Sequence, residues 1–181
     1  MNKIIHIAVI GLGQVGIYLL NELNTKKRDI EIKTGKKIKV VGVSAKNINK
    51  KRQFRFDKKL FYKNPLDILK KQRVDILFEA IGQSDGISKK IVEAALKNGI
   101  HVVTPNKALI SKHGNDLSKL AEKNNVNLEF EASVAGGIPI LRSIKEGLAT
   151  NKISKVYGIM NGTSNYILSE MENLNKNFSD V

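Results

Sequence analysis

The sequence predicts an α/β fold in which a doubly wound parallel sheet carries helices on both faces. Apolar, strand-like runs alternate with helix-spaced segments from residue 4 to residue 130, a pattern typical of parallel strands joined by crossover helices. The first run, at 4–10, leads directly into Gly11-Leu12-Gly13-Gln14-Val15-Gly16, and helical spacing follows over 14–25. A G-x-G-x-x-G string between a strand and a helix predicts a Rossmann-like, dinucleotide-binding βαβ unit.

The other elements of this domain follow in order along the chain. Strands are predicted at 38–43, 74–78, 100–103 and 126–130, and helices at 65–72, 86–98 and 114–124. Asn64 and Pro65 begin the first of these helices as its cap and first residue, and Gly99 ends the second. No element is predicted for 26–37, which is polar and contains Gly35 as a breaker, or for the basic segment 46–63. Right-handed crossovers favour the strand order 3-2-1-4-5.

The pattern changes near residue 131, which divides the chain into two predicted domains. Residues 1–131 are predicted to form the nucleotide-binding domain. Residues 132–181 are predicted to form the beginning of an α+β substrate domain that the chain leaves incomplete. In this second domain we expect a helix from Gly136-Gly137-Ile138-Pro139 to about 148, a strand at 152–160 and a helix at 162–173.

Composition excludes several kinds of site and location. The 181 residues include no cysteine, which excludes disulfides and thiolate metal sites. No apolar run approaches the ~20 residues that a membrane span needs. The N-terminus enters a strand pattern without the features of a signal peptide. We therefore expect a cytoplasmic protein with no membrane partner.

Positive charge is concentrated in one stretch of the chain. Residues 26–63 hold 15 Lys/Arg and 3 Asp/Glu, so they carry +12 of the net charge of +14. Such a stretch either attracts an anion, such as a cofactor phosphate or nucleic acid, or forms a solvated lysine-rich surface. Because no zinc-finger spacing or RNA-stacking aromatic pattern accompanies it, we expect no nucleic-acid partner.

The glycine string at 11–16, called the glycine loop below, predicts how phosphates are bound. Gly11 permits a tight turn, Gly13 removes the side chain where a pyrophosphate approaches, and Gly16 lets the helix pack closely on the strand. The helix N-terminus offers free N–H groups and its positive dipole end to the phosphates. The alternative is a tight turn that binds no ligand.

The residues after the second strand distinguish NADP from NAD. NAD sites usually place an Asp or Glu there, on the ribose hydroxyls, whereas this chain reads VSAKN at 43–47. Since no acid is present and Lys46 can bind a 2′-phosphate, the sequence favours NADP, with NAD as the alternative. Lys46 can also be an ordinary exposed lysine.

Four later strings go beyond a generic dinucleotide-binding unit. They are FEAIG at 78–82, VTPNKAL at 103–109, FEASVAGGIP at 130–139 and GIMNGTSNYIL at 158–168. Together and in this order they resemble homoserine dehydrogenases, and the resemblance covers the whole chain. It implies hydride transfer between NAD(P) and the homoserine/aspartate-semialdehyde pair, a step toward threonine, methionine and isoleucine.

The resemblance also implies where the cofactor is bound. Lys46 would lie near the adenosine ribose, and Lys107 near the nicotinamide, where a lysine holds or polarises a polar group. The alternative for Lys107 is a lysine at a surface turn. The complete set of expected cofactor-binding residues is Gly11, Leu12, Gly13, Gln14, Val15, Gly16, Lys46, Ile81, Gly82, Thr104, Asn106 and Lys107.

A monovalent cation, typically sodium, is implied near the start of the second domain. By the resemblance, the carboxylate of Glu131 and the main-chain carbonyls of Val134, Gly136 and Ile138 would bind it. Hard cations prefer such oxygen ligands. The alternative is that Glu131 interacts with the N-terminus of the following helix, which the helix dipole favours.

Substrate-adjacent residues are implied at Asn161, Gly162 and Thr163, although Thr163 can instead cap a helix. The family's acid-rich substrate string, its aspartate and its catalytic lysine are expected beyond Val181. We therefore expect this chain to be an N-terminal fragment that binds NADP weakly and shows no turnover of a small-molecule substrate. The full-length enzyme is expected to be a homo-oligomer, either a dimer or a tetramer.

Two other functions compete with this interpretation. A non-catalytic dinucleotide-binding regulatory module would not need the strings at 131–139 and 161–165. An aspartate-semialdehyde dehydrogenase needs a nucleophilic cysteine, which the chain lacks.

Overall fold

A parallel sheet of five strands lies at the centre of the N-terminal part of the chain. The strands are β1 Ile4–Ile10, β2 Lys37–Ser44, β3 Ile76–Glu79, β4 His101–Val103 and β5 Leu128–Glu129. All four pairings are parallel, and the order across the sheet is β2-β1-β3-β4-β5. The computed structural model describes residues 4–159 and 161–181, and it confirms the predicted α/β fold.

The strand order 3-2-1-4-5 predicted from the sequence is wrong, because β3 pairs with β1 and not with β2. The outer side of β2 is met by the segment 46–63, which forms a single parallel bridge between Val43 and Phe61. There the Tyr62 N–H donates to the Val43 carbonyl over 2.9 Å. Since this segment occupies the position outside β2, the chain crosses back to the other side of β1 before forming its third strand. The direction of strand addition therefore reverses between β1 and β3, the kind of position at which open α/β sheets bind ligands.

Helices cover both faces of the sheet, as a doubly wound fold requires. They are α1 Gln14–Thr25, α2 Lys27–Thr34, α3 Leu66–Lys71, α4 Ile87–Lys97 and α5 Lys107–Lys123. On one face, buried residues of α3, α4 and α5 share a core with Ile10 and Leu77. On the other face, α1 packs with Val9 and Phe78 and with the phenylalanines of segment 46–63.

The charged segment 26–37, for which no element was predicted, contains helix α2. This helix ends at Gly35, whose φ of +66° lies in the left-handed region that glycine favours at a helix C-terminus. None of the residues of α2 is buried. The helix therefore buries no apolar stripe. Because the other helices are predicted from such a stripe, the same pattern does not predict α2.

Two compact units divide the chain, the first ending at Ile138 and the second beginning at Pro139. A short helix α6, Glu131–Val134, lies near the end of the first unit. In the second unit, helix α7, Ile140–Arg142, continues as a π-helical turn over Ser143–Gly147, and α8 spans Gly162–Leu174. These helices confirm the two predicted for this region. No described helix combines the length and apolar composition needed to cross a membrane.

The strand predicted at 152–160 is wrong over residues 152–159, which are irregular. A strand is defined by its pairing with another strand, and none of the described segments pairs with this one. Alternating apolar residues alone therefore misled the prediction. Met160, the last residue of the predicted strand, lies outside the described residues.

Candidate functional site

The glycine loop connects the end of β1 to the start of α1 by a tight turn. Gly11 has a φ of +91°, and a Cβ there would overlap the Ala80 carbonyl. A Cβ at Gly16 would overlap the Gly11 carbonyl oxygen, whereas a Cβ at Gly13 would have no heavy atom within 4 Å. Gly11 and Gly16 are thus required for packing. Gly13 leaves open space at the N-terminus of α1, as the approach of a phosphate requires.

A cleft of about 890 Å³ opens beside this turn, between the residues that follow β1, β2 and β3. Its walls include Gly11, Leu12 and Gly13 together with Ile81, which lies just after β3. Four cationic side chains also line it, and none of its described lining residues is acidic; the cations are Lys46, Lys50, Arg52 and Lys63. We call this space the glycine-loop cleft. Its size, helix N-terminus and charge fit a ligand that carries phosphate groups.

Arg52 holds the basic wall of the cleft against the glycine loop. Its guanidinium donates hydrogen bonds to four backbone carbonyls, those of Leu12 (3.0 Å), Asn47 (2.6 Å), Ile48 (3.0 Å) and Lys50 (2.9 Å). It also lies 5.6 Å from the centroid of the Phe56 ring, within cation–π range. No role is predicted for Arg52 from the sequence. The available signal was an arginine followed by two phenylalanines, Phe54 and Phe56, in a lysine-rich segment.

Glu79, the last residue of β3, is completely buried and lies at the centre of a cluster of hydrogen-bond donors. The Ile81 N–H and the Ser88 hydroxyl each donate to Oε1 over 2.7 Å. The Thr104 hydroxyl donates to Oε2 over 2.7 Å, and the Asn106 amide lies 3.2 and 3.3 Å from the two oxygens. We call these five residues the Glu79 cluster. Glu79 belongs to the FEAIG string, but no role is predicted for it from the sequence. The available signal was an acid at the end of an apolar strand.

Helix α5 begins at Lys107, seven residues before the predicted start at 114. Asn106 caps this helix by accepting the Leu109 N–H over 3.1 Å. Gly114, the predicted first residue, lies inside the helix. The side chains of Thr104 and Asn106 are buried in the Glu79 cluster, and Lys107, the next residue along the chain, is exposed.

The predicted positions after β3 lie beside these groups. Ile81 is half-buried and lines the glycine-loop cleft. Gly82 is exposed with a φ of +88°, so the chain turns sharply directly after the sheet edge. The structure thus brings the glycine loop, Lys46 and Ile81 together around one cleft, and it places Thr104 and Asn106 on Glu79.

The predicted cation ligands lie in the last turn of the first unit. Glu131 is half-buried and begins α6, while Val134, Gly136 and Ile138 follow in an exposed turn where Gly137 has a φ of +85°. One carboxylate and three main-chain carbonyls would offer only oxygen ligands, the type that hard cations prefer. Within residues 4–159 and 161–181, no group of three or more His, Asp or Glu side chains could hold a metal ion. A cation at this turn would therefore depend on main-chain oxygens.

The predicted substrate-adjacent residues begin helix α8 of the second unit. Asn161 caps this helix, because its side-chain oxygen accepts the Ser164 N–H over 3.0 Å. Gly162 and Thr163 are the first two helical residues, and both are exposed. The capping role considered for Thr163 is thus taken by Asn161.

An ion-pair cluster joins the loop after β3 to α5. Asp85 accepts from Lys112 Nζ at 2.7 Å, from the Ser84 hydroxyl at 2.7 Å and from His113 Nε2 at 2.9 Å. Lys112, then Ser84 and His113, hold the pKa of Asp85 well below its usual range. Because the folded-state pKa is lowered, these contacts add stability above the unfolded carboxyl pKa of about 4, and this stability is lost as the pH falls through the folded value.

We expect Asp85→Asn to lower the Tm slightly at neutral pH, because an exposed ion-pair cluster contributes little. The difference in Tm between the variant and the parent protein should narrow as the pH falls below about 4. Thermal unfolding followed by circular dichroism across this pH range checks both points. The control is Asp116→Asn, an exposed change on α5, the helix that carries Lys112 and His113. An equal effect from both variants would contradict the assignment.

Two family models match the chain in succession. The model described as "Homoserine dehydrogenase, NAD binding domain" matches residues 11–131, and the model described as "Homoserine dehydrogenase" matches residues 139–181. The first match contains the glycine loop, the Glu79 cluster and every lining residue of the cleft except Ile10. The second coincides with the second compact unit.

Curated relatives and solved structures agree with these matches. The chain is 41% identical to a homoserine dehydrogenase of Neisseria gonorrhoeae and 37% identical to one of Pseudomonas aeruginosa, in each case over 99% of this chain and 41% of the relative. A solved homoserine dehydrogenase from Thiobacillus denitrificans is similar with a TM-score of 0.84 at 38% identity, over 98% of this chain and 41% of that chain. One from S. aureus has a TM-score of 0.81 at 34% identity, over 99% and 42% respectively. The chain thus spans about two fifths of the length of the curated relatives it matches.

Proposed function

The chain belongs to the homoserine dehydrogenase family, and on this premise we propose that it supplies the NADP-binding part of an enzyme that interconverts L-homoserine and L-aspartate 4-semialdehyde. The match to an NAD-binding domain supports a nicotinamide dinucleotide as the cofactor. The observation that carries the proposal is the glycine-loop cleft, where open space at Gly13 and a helix N-terminus adjoin four cationic side chains. When bound, the cofactor exchanges the hydride with the substrate, and the residues of this chain hold and orient it.

The pyrophosphate is proposed to lie over Gly13. The first turn of α1 has N–H groups without helical partners, and no acidic residue lies in that turn. The positive end of the helix dipole therefore acts on the ligand without competition from a carboxylate in the same turn. Leu12, Gln14 and Val15 flank this position; Leu12 is buried, while the other two are exposed.

The preference for NADP is proposed to come from the lysines of the cleft. Lys46, Lys50 and Lys63 are exposed and line its basic wall. The Arg52 guanidinium donates its hydrogen bonds to backbone carbonyls, so we propose that Arg52 holds this wall in place. A 2′-phosphate would gain charge-assisted hydrogen bonds from lysine ammonium groups, whereas the free hydroxyl of NAD would meet no acidic partner among the described lining residues.

The nicotinamide half is proposed to face the carboxyl ends of β3 and β4, near Ile81, Gly82 and Lys107. Lys107 is exposed at the first position of α5, so its ammonium group is available to a ligand at this edge of the sheet. Since Thr104 and Asn106 bind Glu79, we assign their side chains to the support of Lys107 rather than to direct contact with the cofactor.

The cation site and the substrate contacts are further parts of the proposal. The all-oxygen set of Glu131, Val134, Gly136 and Ile138 supports a monovalent cation such as sodium. The match of residues 139–181 to the second family model favours a catalytic protein over a nucleotide-binding module alone. It also supports a place for the start of α8, at 161–163, beside the substrate. The homo-oligomeric state expected of the full-length enzyme stays a prediction.

We expect Lys46→Ala to weaken NADPH binding about tenfold, the loss of one charge-assisted hydrogen bond, and to leave NADH binding unchanged. The measurement is titration calorimetry of both cofactors with the purified chain. Lys97→Ala removes an equal charge at the far end of α4, away from the cleft, and should change neither affinity. An unchanged preference for NADPH in Lys46→Ala would contradict the role of Lys46, and a parent protein that binds neither cofactor would contradict the proposed function.

A further inference from the structure

The Glu79 carboxylate is a buried acid whose hydrogen-bonding partners all donate. Every contact it makes within the Glu79 cluster comes from an N–H or a hydroxyl group. The direction of these bonds is determined elsewhere in the cluster. Asn106 uses its side-chain oxygen to cap α5, so its amide nitrogen faces Glu79, and the Thr104 hydroxyl accepts the Asn106 N–H over 3.0 Å while donating to Glu79. Such surroundings match a carboxylate, which only accepts hydrogen bonds.

The negative charge of this carboxylate is compensated by helix ends. In the part of the chain that the structure describes, no Lys, Arg or His side chain forms a salt bridge with Glu79. Instead, Ser88 is the second residue of α4, and Asn106 is the N-cap of α5. The positive dipole ends of two helices therefore meet at Glu79. A buried charge held in this way is costly to disturb, because a changed partner leaves it unsatisfied.

The bonds of Glu79 connect three segments that follow the carboxyl ends of β3 and β4. The Ile81 N–H belongs to the turn after β3, and Ser88 belongs to the first turn of α4. Thr104 and Asn106 belong to the connection from β4 to α5, whose next residue is Lys107. Asn106 also donates to the Gln83 carbonyl over 2.9 Å, which ties the β3 and β4 connections directly to each other.

We propose that Glu79 is a positioning residue for the nicotinamide half of the cofactor. This inference rests on the proposed function. Through its four donors, Glu79 holds the turn at 81–83 and the N-terminus of α5 in one arrangement, so that Gly82 and Lys107 face the ligand together. The glycine loop and Lys46 are held by other contacts, those of Arg52 and the Gly11 N–H. Ile81 is the one partner of Glu79 that also lines the glycine-loop cleft, so we expect Glu79 to act more strongly on the nicotinamide half of the cofactor than on the adenosine half.

The test compares two ligands that differ only in the nicotinamide. NADPH carries both halves, and 2′-phospho-ADP-ribose lacks the nicotinamide. In Glu79→Gln the side-chain amide places two N–H hydrogens where the cluster has only donors. We expect this variant to bind NADPH about tenfold more weakly than the parent protein does, and to bind 2′-phospho-ADP-ribose with an affinity within about twofold of the parent's. Titration calorimetry with both ligands on the 181-residue chain gives the ratio of affinities, and thermal unfolding is measured in parallel.

A merely structural role would lower the Tm and weaken the binding of both ligands equally, and that result would overturn the proposal. An unchanged affinity for NADPH in a folded Glu79→Gln protein would also overturn it. If Glu79→Gln does not fold, Thr104→Val and Thr104→Ser replace it. The proposal is supported if Thr104→Val weakens NADPH binding relative to 2′-phospho-ADP-ribose binding and Thr104→Ser, which keeps the hydroxyl, does not. An unchanged ratio of the two affinities in Thr104→Val overturns the proposal. If the parent chain binds neither ligand, the proposed function itself fails, which is a distinct result.

Discussion

Gly16→Ala is expected to lower the free energy of unfolding by about 3 kcal/mol, one of the largest effects of a single methyl group in this fold. The added Cβ would overlap the carbonyl oxygen of Gly11. Gly11 cannot easily move aside, because its N–H donates to the Ser44 carbonyl at the end of β2 over 2.8 Å. Helix α1 must therefore shift away from the sheet. Urea unfolding followed by circular dichroism measures the loss.

Gly13→Ala is the matched control, and it should separate binding from stability. Its φ of −73° suits alanine, and a Cβ there has no heavy atom within 4 Å. We expect a change below about 1 kcal/mol in the free energy of unfolding. The affinity for NADPH should fall markedly, since the methyl group occupies the space proposed for the pyrophosphate. If Gly13→Ala destabilised the protein as much as Gly16→Ala, the distinction between a packing glycine and a binding glycine would be wrong.

Arg52→Ala is expected to lower the free energy of unfolding by about 2 kcal/mol and to weaken NADPH binding about tenfold. Without the guanidinium, four backbone carbonyls lose their donor, and segment 46–50 is no longer tied to Leu12 of the glycine loop. The lysines of the basic wall are then no longer held at a fixed distance from the position proposed for the pyrophosphate. Urea unfolding and calorimetry with NADPH measure the two effects.

Two further variants separate the geometry of Arg52 from its charge. Arg55→Ala removes the same charge three residues away at an exposed position, and we expect a change within about 0.5 kcal/mol. Arg52→Lys keeps the charge but lacks the planar fork that reaches several carbonyls at once. It should therefore resemble Arg52→Ala. Full affinity for NADPH in Arg52→Lys would show that positive charge, and not the hydrogen-bonded fork, is what the cleft requires.

Local sequence patterns were sufficient for the elements that carry the glycine loop. The bounds of β1 and α1, Ile4–Ile10 and Gln14–Thr25, agree closely with the prediction. An apolar run, three glycines and a helical repeat lie together in this stretch, so each element is marked by its own residues. Helix α4 is similar: apolar residues at helical spacing mark its buried face, and Gly99, with a φ of +70°, follows its end.

Features that depend on distant partners were not predictable in the same way. The strand order depends on whether segment 46–63 forms a full strand against β2, and a single bridge at Phe61 is all that forms. Arg52 and Leu12 are 40 residues apart in sequence, and Glu79 and Thr104 are 25 apart. Neither pair can be recognised from the local sequence. An arginine that binds carbonyls and an acid that binds hydroxyls cannot be distinguished, by residue type alone, from charged residues on the surface. The glycine loop and Lys46 could be predicted as site residues because each follows closely after the end of a strand, β1 and β2 respectively.

The single bridge on the outer side of β2 has a consequence for how this chain behaves at high concentration. An edge strand offers its outer N–H and C=O groups to any other extended chain, which makes it a starting point for aggregation. At its free end β2 carries Lys37 and Lys39, both exposed, and charged side chains on an edge repel a second copy of the same strand. Near its other end, the bridge to Phe61 occupies the edge. We therefore expect part of the basic stretch to limit pairing of this edge with other extended chains, separately from any ligand that its other lysines attract.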